Sequence, residues 1–352
     1  MDRIPTEEYR TPRTEQQALR QGNWCMLARV TSMRKLTLHA VGVCSGVGRD
    51  AAATMGVLFS RLSCRIEIPF GNGTASVAAV AYEPGLSGTR RLIATAQNAL
   101  GEIANADVPW PLPLVFCCPG PAEISRPPAN LLARVCAAEP ALIGPQSQVV
   151  QGGRRALPTA FAAVEKVLAS TGAPACVLLG VDSFLDPSRL AIAERRWGLR
   201  SMESPGGILP GEAGVALLLG VDDRARDRSQ VVALAVGQVD PRTLPGGTLT
   251  ATVEWALSGA GIRADQIKAL AHDMTGAEAV EELYTMMNRI PLRSIGADAV
   301  YAPREIIGET GAASGLLGIA TMAFFREKQV YDGLGISIAS DASGFRSVVV
   351  VK

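Results

Sequence analysis

The chain has 352 residues, 48% hydrophobic and 19% charged, with a formal net charge of +1. That balance argues against a nucleic-acid footprint, which shows as a basic excess or stripe. No run approaches the ~18 uninterrupted apolar residues of a membrane span, so neither nucleic acid nor a membrane is expected as a partner. The length suits two ordinary domains or one large layered one.

The seven cysteines (Cys25, Cys44, Cys64, Cys117, Cys118, Cys136 and Cys176) are scattered, and none forms a C-x-x-C pair. With only two histidines and no clustered ligands, buried reduced thiols in a cytoplasmic protein are expected, with no metal and no cofactor. The N-terminus lacks the apolar stretch of a signal peptide.

Residues 1–34 are polar, without a strand period, and read as an arm with a short helix near Glu15 to Gln21. Leu36 to Val43 is the first strand, and Asp50 is placed to cap the helix after it. Arg91 to Ile103 reads as a helix, Leu112 to Cys118 as an apolar strand, and Asn130 to Ala137 as a helix after Pro127–Pro128. The central unit runs from Gln148 to Asp186. Val149–Val150 is a short β run, Gly152 and Gly153 allow a sharp turn, and Pro158 suits a first helical turn. Leu157, Phe161, Val164 and Leu168 form one apolar helical face, Gly172 and Pro174 stop that helix, and Cys176 to Leu179 reads as a strand covered on both faces.

Arg189 to Gly198 is polar and reads as exposed. Gly214 to Val221 is a strand, and the charged run Asp222 to Ser229 connects two halves. Val231 to Val239 is a strand ending in the turn PRTLPGG. Thr250 to Ala260 is a helix, Ile267 to Ala271 a strand, and about Gly276 to Asn288 a helix. Gly315 to Phe325 is a buried helix, and Gly335 to Ala339 and Ser347 to Val351 are the last strands. Strand and helix alternate in both halves, which argues for α/β architecture with helices packed on sheets.

Four stretches carry a family resemblance: LTLHAVGVCSGVGRDAAATMGVL, the central unit QVVQGGRRALPTAFAAVEKVLASTGAPACVLLGVDSFLD, SPGGILPGEAGVALLLG and GETGAASGLLGIATMAFF. In order and spacing they resemble the β-ketoacyl synthases of the thiolase superfamily, over roughly Lys35 to Lys352. The resemblance implies an α/β, thiolase-like five-layered αβαβα fold from two similar halves. The expected division is a polar arm (1–34), an N-terminal half (35–225) and a C-terminal half (226–352). It also implies a dimer through the strand before the central turn.

A condensing synthase needs a thiolate at the N-terminus of the buried helix, where the helix dipole lowers the thiol pKa. Counting back from the strand through Gly172 puts that position on Arg155. A shift of one gives Arg154 or Ala156. No cysteine lies between Cys136 and Cys176, the nearest hydroxyl after the turn is Thr159, and a guanidinium is no nucleophile. The resemblance places the first family histidine on His272, the second on Glu309, and the family lysine on Arg304. Arg154, Arg304 and Phe345 are the expected pocket residues, and Arg346 replaces the second glycine of a Gly-Phe-Gly loop.

These substitutions imply a buried Arg155–Glu309 ion pair in place of the catalytic contact. Asp182 and Glu212 are alternative partners, and Arg154 is the alternative inward residue. The function expected is a non-condensing homologue, a pseudoenzyme of fatty-acid or polyketide metabolism. It would act like a chain-length factor, as a homodimer or as a heterodimer with a ketosynthase, with acyl carrier protein as a further partner. Two alternatives stand beside it. One is an acyl-thioester hydrolase or decarboxylase using His272 and Glu309 as an acid–base pair, and the other is a homodimeric scaffold without an acyl ligand. For His272, Glu309 and Arg304 a purely structural role competes with each of these, and His39, in the first strand, reads as structural.

Overall fold

The computed structural model describes residues 29–31, 34–71, 73–79, 85–119, 131–201, 204–221, 227–239, 247–274, 277–292, 295–341 and 343–352. The helix expected near Glu15 to Gln21, the Pro127–Pro128 break, most of the charged connection and most of the PRTLPGG turn lie outside them.

In chain order the N-terminal half contains β1 (Arg29–Thr31), β2 (Leu36–Ser45), α1 (Ala51–Ser60), β3 (Arg65–Phe70), β4 (Gly73–Ala78), α2 (Gly88–Ile103) and β5 (Leu114–Cys118). It continues with α3 (Leu131–Ala138), β6 (Gln148–Gln151), α4 (Ala156–Thr171), β7 (Ala175–Ser183), α5 (Pro187–Trp197) and β8 (Glu212–Gly220). The C-terminal half contains β9 (Gln230–Gln238), α6 (Gly247–Gly259), β10 (Ile267–His272), α7 (Ala277–Arg289), β11 (Val300–Tyr301), α8 (Pro303–Ile306), α9 (Ser314–Glu327), β12 (Leu334–Ser340) and β13 (Phe345–Val351).

The main sheet has the order β11-β10-β12-β13-β9-β2-β8-β7-β5-β6. Its two ends repeat one pattern. In the N-terminal half β6, β5 and β7 are parallel, and β8 and then β2 add antiparallel. In the C-terminal half β11, β10 and β12 are parallel, and β13 and then β9 add antiparallel. The halves meet where β2 pairs β9 through Leu36↔Val231 and Thr37↔Gln230.

Side-chain alternation along the strands separates three apolar cores. Val177 and Leu179 of β7 face Ala96, Leu100 and Ile103 of α2. Leu178 faces the opposite way, into the core that holds Phe161 and Val164 of α4 and Leu316 and Ile319 of α9. Ile336 and Ile338 of β12 face Val253 of α6 and Met286 of α7. The order of layers is therefore helices, sheet, central helices α4 and α9, sheet, helices, which is the five-layered thiolase-like fold.

Local signals explain the central unit. All nine residues of β7 are buried, as its unbroken apolar run requires. Gly172 ends α4 in the left-handed conformation at φ 65°, its N–H bonded to the Leu168 carbonyl. Asp50 caps α1 by accepting from the Ala53 N–H at 2.7 Å.

Three features depart from the sequence reading. Arg29–Thr31, within the supposedly strandless arm, pairs antiparallel with Val236, Ala235 and Leu234, and so covers the part of the β9 edge that β2 leaves. The β3–β4 hairpin packs Ile66, Ile68 and Phe70 against a small core with Phe184 and Leu190. The segment taken as exposed is helix α5, and Arg189 inside it is buried because its guanidinium pairs with Asp182 at 3.0 Å and lies over the Phe184 ring, 4.2 Å from its centroid.

Candidate functional site

The site forms where the two central helices begin. Each is preceded by a 3-10 turn that opens on a glycine, Gly153 (φ 55°) before α4 and Gly311 (φ 45°) before α9. The two turns contact one another. The positive φ at Gly153 sets the direction of the next two side chains: Arg154 is buried and Arg155 is exposed.

Arg154 is the centre of a closed ionic cluster. Its Nε and Nη2 donate to the two carboxylate oxygens of Glu309, at 3.0 and 2.5 Å. Its Nη1 donates to Asp273 Oδ2 at 3.2 Å and to the Ser340 carbonyl at 2.7 Å. Asp273 Oδ1 accepts from the Ser340 N–H at 2.7 Å and its hydroxyl at 3.0 Å. Arg304 Nη2 reaches Glu309 Oε2 at 2.8 Å, and the Gly311 N–H donates to Glu309 Oε1 at 2.9 Å. Two guanidinium and two carboxylate charges thus balance. The side chains of Arg154, Asp273 and Glu309 are only 5–7% exposed.

This corrects the expected pairing. Glu309 is bound by Arg154, not Arg155, because the 3-10 turn points consecutive side chains in different directions. The Arg155 side chain is 49% exposed and pairs with Asp341 at 2.6 Å, with its guanidinium 5.9 Å from the centroid of the buried Phe345 ring. The alternative carboxylates have other partners. Asp182 accepts from Arg189 Nη2, from the Ser183 N–H at 2.8 Å and from the Ala312 N–H at 3.0 Å. Glu212 holds Arg91 at 3.0 and 3.1 Å and accepts from Ser183 Oγ at 2.9 Å.

His272 is buried at the end of β10, and among the described residues its Nδ1 has no hydrogen-bond partner. Its neighbour Asp273, which the sequence reading passed over, is the residue that enters the cluster. The available signal was an acidic residue directly after the strand. Arg346 is also anchored: Nε and Nη2 bond Glu282 Oε2 at 2.9 and 2.7 Å, and Nη1 donates to the Asp341 and Phe345 carbonyls. With Asp341 Oδ1 accepting from the Phe345 N–H at 3.0 Å, the β12–β13 loop is tied down from both sides.

Titration follows from the packing. Burial alone would raise the Glu309 carboxyl, but the neighbouring Arg154 and Arg304 charges outweigh it and hold the group down to about 2. Burial lowers the His272 imidazole below its usual 6.5, with Asp273 opposing, so it is neutral. Burial also lowers Arg304, assisted by the Arg154 charge. Burial raises the thiols, Cys44 to about 11 and Cys176 to about 12, and Cys117 further still. These are inert core thiols. Thr159, the hydroxyl nearest the turn in sequence, is exposed. Among the described residues no group of three His, Cys, Asp or Glu side chains is placed to hold a metal.

A pH dependence follows. The unfolded chain takes up a proton at His272 as pH falls below 6.5 while the folded chain does not, so stability falls there. Glu309 adds a second loss as pH falls from 4.5 through about 2. Asp182, raised by burial despite Arg189, takes up its proton earlier in the folded chain and so opposes these losses. The midpoint of urea unfolding is expected to drop between pH 7 and pH 5.5, and His272→Asn to flatten that drop. Wild type and His272→Asn showing the same pH dependence over that interval would contradict a buried neutral His272.

No family model matches the chain, and no curated protein matches it. Solved structures do. The ishigamide ketosynthase/chain length factor aligns over 90% of this chain and 99% of its own, with TM-score 0.70 and 20% identity. The ketosynthase ApeO in complex with its chain length factor ApeC, from Xenorhabdus doucetiae, aligns over 90% and 98%, with TM-score 0.64 and 14% identity. The ketosynthase from module 6 of the bacillaene synthase of Bacillus subtilis 168 aligns over 90% and 72%, with TM-score 0.67 and 12% identity.

Proposed function

We propose that this chain, which has the ketosynthase and chain-length-factor fold, is a non-condensing subunit that pairs with an active ketosynthase in fatty-acid or polyketide-type synthesis. One observation carries the reading: the buried side chain at the turn before α4, where a condensing relative keeps its thiolate, is the guanidinium of Arg154, neutralised by Glu309 and Asp273. The seat is assigned to Arg154 rather than Arg155. A fixed positive charge there cannot accept an acyl group, and the thiols of Cys44, Cys117 and Cys176 are buried with raised pKa values.

The pairing partner follows from similarity. A solved neighbour is a ketosynthase in complex with its chain length factor. The surface we assign to the contact is the outer edge of β6, the strand at one end of the main sheet, where Val149 is 42% exposed. Acyl carrier protein is the further partner such a complex would meet, and the compartment is the cytoplasm. The six cysteines among the described residues form no disulfide with one another, which is compatible with that compartment. The same reading divides the chain into the arm and two halves expected from the sequence.

The acid–base alternative is less well supported. A carboxyl held at about 2 by two guanidinium groups has no proton to donate at neutral pH.

Co-expression with a ketosynthase that has an intact Cys–His–His set tests the proposal. A one-to-one heterodimer is expected by size-exclusion chromatography with light scattering, with an altered product length relative to the synthase alone. The reading fails if the chain forms only homodimers beside such synthases. It fails equally if the chain itself turns over acyl thioesters in a reaction abolished by His272→Ala.

A further inference from the structure

We infer that a cavity at the far end of α9 from the Arg154 cluster is a binding site for a small zwitterion, its anionic group on Arg326 and its cationic group at an acidic rim. This site is separate from the function proposed above. The cavity is about 830 Å³, within the range of small-molecule sites. α9 spans fourteen residues, so its C-terminal turn lies about 20 Å along the helix from Gly311 at 1.5 Å per residue.

The inner wall combines apolar and basic groups. Leu38 and Ala323 are buried there, as is Tyr331, whose hydroxyl donates to the Met322 carbonyl at 2.8 Å. Arg326 is partly buried and lines the cavity. Among the described residues its side chain has no hydrogen-bond or ion-pair partner, so its donors are open to a ligand that enters the cavity. At the carboxyl end of a helix that guanidinium is well placed in the dipole, but its donors are left to the cavity.

His39 is built into the same wall. The β2–β8 register slips between Leu38 and Ala40, so His39 is the extra residue of a β-bulge, a device that re-aims a side chain. Its imidazole occupies space that only a glycine at position 220 leaves open: a Cβ there would lie 2.5 Å from Nε2. Arg228 Nη1 donates to the His39 carbonyl at 2.8 Å and lies 3.4 Å from Nδ1. Gln329, also lining the cavity, has φ 58°, a left-handed backbone that a non-glycine residue adopts only at a cost.

The rim has the opposite sign. Asp227, Glu327 and Asp332 line it and are exposed, outnumbering the exposed Arg228 beside them. They disfavour a multiply charged anion and favour a ligand whose outer end is cationic. Phosphocholine meets both requirements and inorganic phosphate only the first.

Isothermal titration calorimetry at low salt on the full chain tests this, with those two compounds as probes. Phosphocholine is expected to bind more tightly than inorganic phosphate. Arg326→Gln is expected to weaken both by about tenfold or more, as loss of a charge-assisted contact does. The rim variant Asp332→Asn is expected to weaken phosphocholine alone, and it tests the site even if the Arg326 variant folds poorly. No heat from either probe up to about 10 mM, well beyond a millimolar dissociation constant, overturns the site, as does undiminished affinity in Arg326→Gln. Equal loss of both probes in Asp332→Asn overturns the zwitterion assignment.

Discussion

Glu309→Ala is expected to destabilise the fold by about 3–5 kcal/mol, the cost of removing one member of a buried ion pair. The variant leaves Arg154 and Arg304 facing each other in the interior with Asp273 as the remaining acid. It also removes the acceptor of the Gly311 N–H at the start of the turn before α9. Arg154→Ala belongs to the same class, since it takes the guanidinium from Asp273 and leaves Glu309 with Arg304 alone. Arg155→Ala is the control. Its pair with Asp341 is half exposed, and such pairs contribute about 1 kcal/mol or less. Urea unfolding of the three variants separates the positions. Equal losses at 154 and 155 would contradict the inward assignment of Arg154. A double replacement of Arg154 and Glu309 by apolar residues is expected to lose less than either single variant, because a buried pair replaced as a unit leaves no unpaired charge.

Gly311→Ala is the second large effect. Gly311 has φ 45°, and a Cβ there would lie 1.9 Å from Asp182 Oδ2 and 2.8 Å from its Cγ. The carboxylate cannot swing aside, because Arg189, the Ser183 N–H and the Ala312 N–H hold it. Backbone strain of about 1–3 kcal/mol and overpacking of about 1–3 kcal/mol act together, so a total loss of about 2–6 kcal/mol is expected. The disturbance passes directly to Glu309, two residues earlier. Gly153→Ala, at φ 55°, is expected to carry the same backbone strain. A thermal melt of each variant, read against wild type, gives the comparison. A Gly311→Ala protein melting with wild type would mean the turn is not held as described.

Much of the architecture was legible because the central strands are buried on both faces. Continuous apolar runs such as Cys176 to Leu179 have no competing reading beside a Gly-Gly turn and an amphipathic helix. The repeat of strand order in the two halves could not be read locally, since it depends on long-range pairing. The β3–β4 hairpin was visible in the alternation of RIEIPF followed by the two-residue turn signal Gly71-Asn72 before Gly73, and the sequence reading passed over it.

At the site, the acidic residue Glu309 and the absence of any cysteine between Cys136 and Cys176 were legible residue by residue. The choice between Arg154 and Arg155 was not. A one-residue slip exchanges a buried side chain for an exposed one, and the 3-10 geometry that decides it leaves no mark in two identical neighbours. Asp273 was overlooked because His272 matched a pattern, although strand geometry sends adjacent side chains to opposite faces. Arg189 was taken as solvated because its partner, Asp182, lies across a loop.

The most direct measurement is the intact mass of the protein after incubation with acyl-CoA and with acyl carrier protein thioesters. The proposed reading predicts an unchanged mass, because a guanidinium cannot accept an acyl group and the core thiols remain protonated. An added acyl group, mapped to a cysteine beside Arg154, would contradict it.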